Sequence, residues 1–557
     1  MSLGQEVAYP SFTGAAEPRA VLDRAHLGDI DGAFGALRSH DLVVGRSRAW
    51  RVRTLLAVMG PGVLVMVADN EAGSFSLYGQ AGQDYGLSLL WLFVVLAPIL
   101  FVLQEMAARL GAVTGVGHAR LIYERFGRRW GAFALVDLLL LSMLTIVTEF
   151  IGVDLALQYF GVSRYVSVPA TAVILVAATT TGSFRRWERV MYLLLACNLL
   201  FVPLALLTHP SVGAMSRGLV PGLTPTHLGA GGLLFVVALV GAAASPWQLF
   251  FQQSNVVDKR ITTRWLGFER ADTLVGTLLF TMGAIAVTTI CAVAFDGSAL
   301  HGRFINAGAV AHGIDVRFGG VVAAFFALAL FNASVLGSAV MALGTSYAIG
   351  DVFSLRHSLH RRWTEARIFY GSYAVLIVTA AAIVLVPGAP LGIITIFTQA
   401  VAGVLLPSAA VFLLLLCNDK AVLGPWVNSR RLNAIATLII SMLLLLSAVL
   451  TVETLDPSLS IERTLSMAPG LVALGALGLG IAIVTGARAA RRTRAPEPSP
   501  PEISPAEKRR WTMPHLDSLP RPQPSTARTV GLLVLRAYVA CAVGLVVLKA
   551  VELAFTG

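Results

Sequence analysis

The sequence predicts an all-α polytopic membrane protein in which two blocks of five spans are related by inversion. Three observations predict it. The chain of 557 residues is 56% hydrophobic and 13% charged, against about 25% charged in soluble domains, and its mean hydropathy is +0.75. Apolar runs of the roughly 20 residues that cross a bilayer as a helix recur along its length. Two of those runs are interrupted at mid-depth, and each interrupted run opens a block of five spans, the layout of inverted-repeat transporters. The alternating segments of about 10 residues that build an outer-membrane barrel are absent.

Residues 1–50 precede the first span, with no signal-peptide pattern. Within them Ala20–Arg38 reads as a short amphipathic helix, with Val21, Leu22, Leu27, Ile30, Phe34 and Leu37 apolar. The first five-helix repeat is assigned to 52–208, with spans near 54–80 (broken), 87–110, 131–159, 166–181 and 188–208. The second repeat, 232–417, holds spans near 232–254 (broken), 270–295, 318–350, 369–386 and 393–417. About three C-terminal spans follow, two in 433–487 and a last one at 530–554, separated by a Pro-rich linker at 489–529 that is expected to be disordered. Basic residues alternate with this count. Arg120, Arg125, Arg128 and Arg129, then Arg185, Arg186 and Arg189, then Lys259, Arg260, Arg264 and Arg270, then Arg356, Arg361, Arg362 and Arg367 all fall on one side. The positive-inside rule makes that side cytoplasmic, N-terminus included, in an inner (plasma) membrane.

The formal charge of +11 therefore orients the protein in a lipid bilayer and does not indicate a nucleic-acid partner. Cys197, Cys291, Cys417 and Cys541 lie singly in apolar segments, which excludes a disulfide framework or a cysteine metal site and leaves packing roles. No nucleophile–base constellation or cofactor motif argues for an enzyme. Oligomeric state is not legible.

The first interruption is Val67-Ala68-Asp69-Asn70-Glu71-Ala72-Gly73-Ser74. A charged side chain at membrane depth costs roughly 3 kcal/mol or more and usually faces a bundle interior or a path. The second is Gly241-Ala242-Ala243-Ala244-Ser245-Pro246-Trp247, where Pro removes a backbone donor. Together they offer a cation carbonyl oxygens near Ala68 and Ala242, the charge of Glu71 with Asp69 as a second acid, and neutral oxygens of Ser74, Ser245 and Gln399. That set is hard and contains no thiolate, imidazole or thioether. Trp247, Gln248, Glu149 and Asn332 are expected to line the cavity or path. Asp137 and Asp154 read as structural acids, and Glu105 with Arg109 as an i,i+4 ion pair or gate.

The chain from about Arg53 to Val452 resembles the Nramp divalent-metal transporters. The likeness rests on Gly60-Pro61-Gly62, on Gln80-Ala81-Gly82, and on Gln104-Glu105-Met106-Ala107-Ala108-Arg109-Leu110-Gly111-Ala112-Val113-Thr114-Gly115. The resemblance implies a LeuT-like fold and places the family's first-span Asp-Pro-Gly-Asn motif on Glu71-Ala72-Gly73-Ser74. It places the sixth-span Met-Pro-His motif on Ser245-Pro246-Trp247, and a metal-proximal position on Gln399. Departures are as informative. Ser245 replaces the sulfur ligand, Trp247 and Gln252 replace titratable histidines, and Gly152 replaces one of two third-span acids, leaving Glu149. This pattern is similar to the Nramp-related magnesium transporter branch.

The expected function is a secondary transporter that imports a divalent cation by alternating access, Mg²⁺ first and Mn²⁺ also, with weak or no proton coupling. The metal is cargo, not a cofactor. The alternatives are a proton-coupled Mn²⁺/Fe²⁺ importer or an organic-substrate transporter of the same fold.

Overall fold

A computed structural model describes residues 21–38, 47–221, 230–455, 504–522, 528–529 and 531–539. The first span is a broken rod of α1 (Arg48–Val58), α2 (Pro61–Ala68) and α3 (Ala72–Tyr85), with α1 and α2 bent by 51°. The bend falls where Gly60 adopts φ 159° and Pro61 opens α2, so the chain turns without a side-chain cap. Then come α4 (Leu90–Thr114), the short α5 (His118–Phe126), α6 (Arg128–Gln158), α7 (Arg164–Thr179), α8 (Phe184–Asn198), α9 (Phe201–Leu207) and α10 (Val212–Gly218). The second block repeats the order: the broken pair α11 (Ala230–Ala242) and α12 (Pro246–Asp258), α13 (Leu266–Phe295), the short α14 (Ala307–Phe318), α15 (Gly320–Val352), α16 (Arg367–Leu385) and α17 (Leu391–Cys417). After α18 (Lys420–Leu423), α19 (Arg430–Leu455) supplies an eleventh crossing. Among the described residues nine helices are long and apolar enough to cross a membrane, ten with the bent α1–α2 pair.

In each block a short helix, α5 or α14, joins the second span to the third. The blocks also exchange partners. The broken α2–α3 lies on α13, the second span of the other block, and α12 lies on α4, while the third spans α6 and α15 pack on each other. This reciprocity is what two inverted blocks produce, and the expected LeuT-like architecture is the one found. The twelfth predicted span, 469–487, lies outside the described residues, as does most of the last, of which 531–539 is helical.

Close approach fixes the α2–α13 crossing. A Cβ at Gly276 would sit 2.6 Å from the Gly62 carbonyl oxygen and 2.8 Å from Val63 Cα. Asp272, one turn earlier on α13, accepts from the backbone N–H groups of Gly62 (2.7 Å) and Val63 (3.3 Å) and so caps the uncapped start of α2. Lys259, just past α12, donates to Glu188 of α8, both fully buried, and to the carbonyl of the half-buried Met59.

Two expectations fail at the end of the bundle where the chain enters α1. Ala20–Arg38 is not a helix over its described part. After a single 3₁₀ turn at Arg24–His26, β1 (Ile30–Gly32) and β2 (Gly35–Leu37) form a hairpin, with Ile30 opposite Leu37 and Gly32 opposite Gly35. Two glycines flanking a two-residue turn override the apolar spacing, and Ile30 and Leu37 bury one face of the ribbon against Ala57 and Val58 of α1. Nor is the Pro-rich linker wholly disordered: 504–522 is ordered against the bundle. A capping box at Ser504 and Glu507 starts a short α20 (Pro505–Arg510). The Met513 N–H then bonds the Val113 carbonyl (3.2 Å), Trp426 Nε1 bonds the Lys508 carbonyl (2.8 Å), and Thr263 Oγ1 bonds the Arg509 carbonyl (2.6 Å).

The N-terminal hairpin region is itself anchored. Arg361, in the α15–α16 loop, forks onto Asp23, with Nη2 donating at 2.5 Å to Oδ1 and Nε at 2.8 Å to Oδ2. Burial opposes ionisation of Asp23, yet Arg361 and backbone donors hold its carboxyl below the ordinary range. His26 is buried beside Asp258, 3.5 Å away, and burial pulls its pKa down to about 4.

The α2–α13 contact predicts that Gly276→Ala forces these helices apart at a cost of about 1–3 kcal/mol. Thermal unfolding of the purified protein in detergent should show a lowered midpoint; an unchanged midpoint would mean the crossing is looser than described.

Candidate cation site at the two helix breaks

The first break is short. Ala68 is the last residue of α2 and Glu71, in extended conformation with ψ 172°, is the N-cap of α3, so only Asp69, Asn70 and Glu71 are unwound. The second break is Ala243–Ser245, between α11 and Pro246 at the head of α12. Both breaks leave a carbonyl beyond the ladder, for different reasons. The donor that would serve Ala68 is the Ala72 N–H, which bonds Glu149 Oε2 of α6 instead (3.2 Å). The donor that would serve Ala242 belongs to Pro246, which has no N–H. The Ala242 carbonyl meets only a 3.5 Å contact from Ser245 Oγ.

Side chains converge on the first break from three helices. Gln248 of α12 donates through Nε2 to Asp69 Oδ1, and Gln104 of α4 donates to Gln248 Oε1 at 3.0 Å, so α4 and α12 are tied to the break through one amide chain. Glu149 lies against Glu71, and the Gln399 amide of α17 lies beside the Glu71 carboxyl. Asp69, Glu71, Ser74, Glu149, Ser245, Trp247 and Gln248 are all buried. Asp69 Oδ2, Glu71 Oε2, Glu149 Oε1, Ser74 Oγ and Trp247 Nε1 have no hydrogen-bond partner. Asn70 Oδ1 of the same unwound segment is unpartnered as well; buried polar atoms are almost always paired, so this group of acceptor oxygens is suited to a cation. Two carboxyls in contact away from water repel when both are charged, and a proton or a cation relieves that repulsion. No Lys or Arg forms an ion pair with Asp69, Glu71 or Glu149 among the described residues.

Among those residues no three His, Cys, Asp or Glu side chains gather closely enough to hold a metal by themselves. A cation here would draw on backbone and amide oxygens as well as carboxylates, the mixed oxygen shell of hard divalent ions.

The profile of the family described as natural resistance-associated macrophage protein-like, Nramp, matches residues 62–453. This chain belongs to the Nramp family. Among its relatives, the divalent metal cation transporter MntH 1 of Pseudomonas aeruginosa is 28% identical over 418 residues, 72% of this chain and 91% of the relative. The divalent metal cation transporter MntH of Deinococcus radiodurans is 25% identical over 421 residues, with 72% and 91% covered. A crystal structure of a mutant Eremococcus coleocola manganese transporter superposes with a TM-score of 0.62 at 21% identity, over 81% of this chain and 96% of that one; this likeness shows the shared fold. The homologues are transporters, and the Nramp chain is not an enzyme.

Of the residues singled out by sequence, Ala68, Asp69, Glu71, Ser74, Glu149, Gln248 and Gln399 meet at the first break and Ala242, Ser245 and Trp247 at the second. Asn332 does not line the path. Its Nδ2 donates to the Leu194 carbonyl and to Asn198 Oδ1, both at 2.7 Å, which spends it on the α15–α8 contact. Asp137 bonds Ser408 Oγ at 2.8 Å, a structural use. Glu105 takes both Arg109 (3.2 Å) and Arg270 (2.8 Å), joining α4 to α13. Sequence reasoning missed Asn70, whose Nδ2 contacts the Phe280 carbonyl at 3.4 Å and holds the unwound segment to α13. It also missed Gly152 as a packing position. A Cβ there would meet Ala72 Cβ at 2.5 Å, so the family's second acid does not fit beside α3.

A Cβ at Gly73 would overlap the Gln399 amide and come within 3.2 Å of Glu71 Oε1. Gly73→Ala therefore displaces Gln399 from Glu71 and is expected to weaken Mn²⁺ binding about tenfold, the equivalent of roughly one hydrogen bond. Isothermal titration in detergent reads this; unchanged affinity would place Gln399 outside the ion's reach.

Proposed function

We propose that this Nramp protein moves a divalent metal cation across the membrane by alternating access, with the ion held between the two helix breaks. The observation that carries the reading is the pair of buried acids, Asp69 and Glu71, with orphaned carboxyl oxygens at an unwound segment that Gln248 ties to the helix beginning at the second break, where Pro246 leaves the Ala242 carbonyl outside the ladder. Organic-substrate transport has less behind it: three carboxyls with no basic partner favour a cation. Relatives named for manganese or for divalent metal cations favour Mn²⁺ as cargo. None of the relatives described above is named for magnesium, so the Mg²⁺ preference expected from the oxygen-only donors is not carried further. Ser245 in place of a sulfur ligand supports only the weaker statement that soft ions such as Cd²⁺ lose their advantage.

A specific observation favours proton coupling over uncoupled import. Trp247 and Gln252 cannot titrate, which argued for weak coupling, but Glu149 lies against Glu71 at the break itself. A doubly charged ion arriving at Glu71 expels a proton shared by the two carboxyls, and Glu149 provides the route. The Lys and Arg distribution supports placing the face that carries the N-terminal hairpin in the cytoplasm.

In proteoliposomes, the wild type should take up Mn²⁺ and Glu71→Ala should lose uptake by more than about tenfold; full uptake by Glu71→Ala would remove the site from the path. Mn²⁺ uptake should acidify the lumen, and Glu149→Gln should uncouple or abolish that signal. Metal entry with no pH change in the wild type would return the account to uncoupled import.

A further inference from the structure

Outside the cation site, a cavity of about 390 Å³ opens at the seam between the N-terminal segment and the α15–α16 loop. It is lined by Leu22, Asp23 and Arg24 on one side and Ser354, Leu355, Arg356 and Arg361 on the other. Its size suits a small ligand or a headgroup. Three guanidinium groups and one carboxylate line it, an excess of two positive charges. Arg361 is committed to Asp23. Arg24 and Arg356 are exposed and have no side-chain hydrogen bond or ion pair among the described residues. The cavity thus presents two free arginines, one from each side of the seam.

The same loop carries exposed apolar side chains beside its cavity-lining residues in sequence. Phe353, just past α15, Trp363, in the loop, and Ile368, at the start of α16, are 61%, 41% and 59% exposed. Large apolar side chains bare at the ends of two spans belong at the boundary between headgroups and acyl chains. Ser354, between Phe353 and the arginines, holds φ 53°, a left-handed conformation rare for a residue with a Cβ. Arg120 fixes it there through Nη1, at 2.8 Å to Ser354 Oγ and 3.1 Å to the Val352 carbonyl. Trp363 stacks on Tyr370, whose hydroxyl donates to the Arg361 carbonyl at 2.6 Å. The loop is held in shape from both ends, with its basic side turned to the seam.

We infer that this cavity binds the phosphate group of an anionic phospholipid of the adjoining leaflet, with Arg24 and Arg356 as its contacts and Phe353 and Trp363 beside the acyl chains. Guanidinium groups match phosphate oxygens in geometry and charge, and basic pockets at the cytoplasmic ends of spans take anionic headgroups. The assignment to that leaflet rests on the orientation proposed above. Because the arginines come from opposite sides of the seam, an occupant bridges them and reinforces the Asp23–Arg361 tie. That tie, with His26 at Asp258 and the Ala33 N–H on Glu188 Oε2 (2.6 Å), binds the N-terminal segment to the ends of α12, α8 and α15. A ligand that binds only the docked segment stabilises docking by mass action.

The test is a binding titration on the full chain in neutral detergent, with short-chain phosphatidylglycerol, short-chain phosphatidylcholine and inorganic phosphate as probes, and with Arg24→Ala/Arg356→Ala beside the wild type. Mn²⁺ binding serves as the folding control and should be the same in both proteins. Phosphatidylglycerol should bind the wild type and protect residues 21–38 from protease. The double variant should lose about tenfold or more in affinity, the scale for two arginines at an anionic surface, and should lose the protection. Inorganic phosphate binding as tightly, with the same loss, would support the phosphate site and assign it to a soluble phosphate compound, overturning the lipid source. Equal binding of phosphatidylcholine, or undiminished phosphatidylglycerol binding in a double variant that still binds Mn²⁺, would overturn the site.

Discussion

A backbone carbonyl freed at membrane depth has to find a partner, because hydrocarbon supplies none. This chain creates two such carbonyls on purpose. Pro246 withholds the donor that Ala242 needs, and Glu149 takes the donor that Ala68 needs. The two devices are different, one covalent and one a side chain reaching from another helix, yet they leave similar oxygens at two breaks that Gln248 connects through Asp69. Everything else at the centre serves these oxygens. α2 is capped by Asp272 so that it can stop short, Asn70 ties the unwound link to α13, and Gln104 and Gln248 hold Asp69. A divalent cation bound there, as proposed above, would take these oxygens as ligands.

The same inversion that brings the breaks together sorts the packing. α2–α3 rides on α13 and α12 on α4, so each broken helix is supported by the second span of the opposite block. These four elements form a unit that leans on α6 and α15. On one face that unit is fastened by Lys259 to Glu188, by Asp258 to Ser358 (2.5 Å) and the Leu359 N–H (2.9 Å), and by the N-terminal hairpin. Thr263, on the next turn, is held from the other side by the ordered strap of 504–522. Segments from both ends of the chain thus converge on the end of the sixth span.

Most of the spans and both breaks were legible in the sequence because they obey strong rules. Apolar length sets the spans, and Asp69, Glu71 and Pro246 cannot sit in an unbroken lipid-facing helix. The breaks fall inside the predicted stretches and are shorter than those stretches, since helix resumes at Ala72 and Pro246. What the sequence hid was pairing over long distances. Nothing local says that Asp272 caps α2, 210 residues away, or that Asn332 is absorbed by Asn198. The N-terminal hairpin was misread because apolar spacing outweighed Gly32 and Gly35 as turn signals. The strap was misread because Pro-rich composition conceals Trp511 and Met513, which pack against Gly424 and Val113. The family likeness located Glu71, and Gly152 shows its limit: the motif gives a position, and the packing against Ala72 decides which residue fits there.

The central claim is that a divalent cation sits between the two breaks, bound by Glu71 and by carbonyl oxygen. Anomalous scattering from crystals grown with Mn²⁺ tests it most directly. The account predicts one strong peak within bonding distance of the Glu71 carboxylate and of the Ala68 or Ala242 carbonyl. A peak elsewhere in the bundle, or none at the breaks at saturating Mn²⁺, would contradict it.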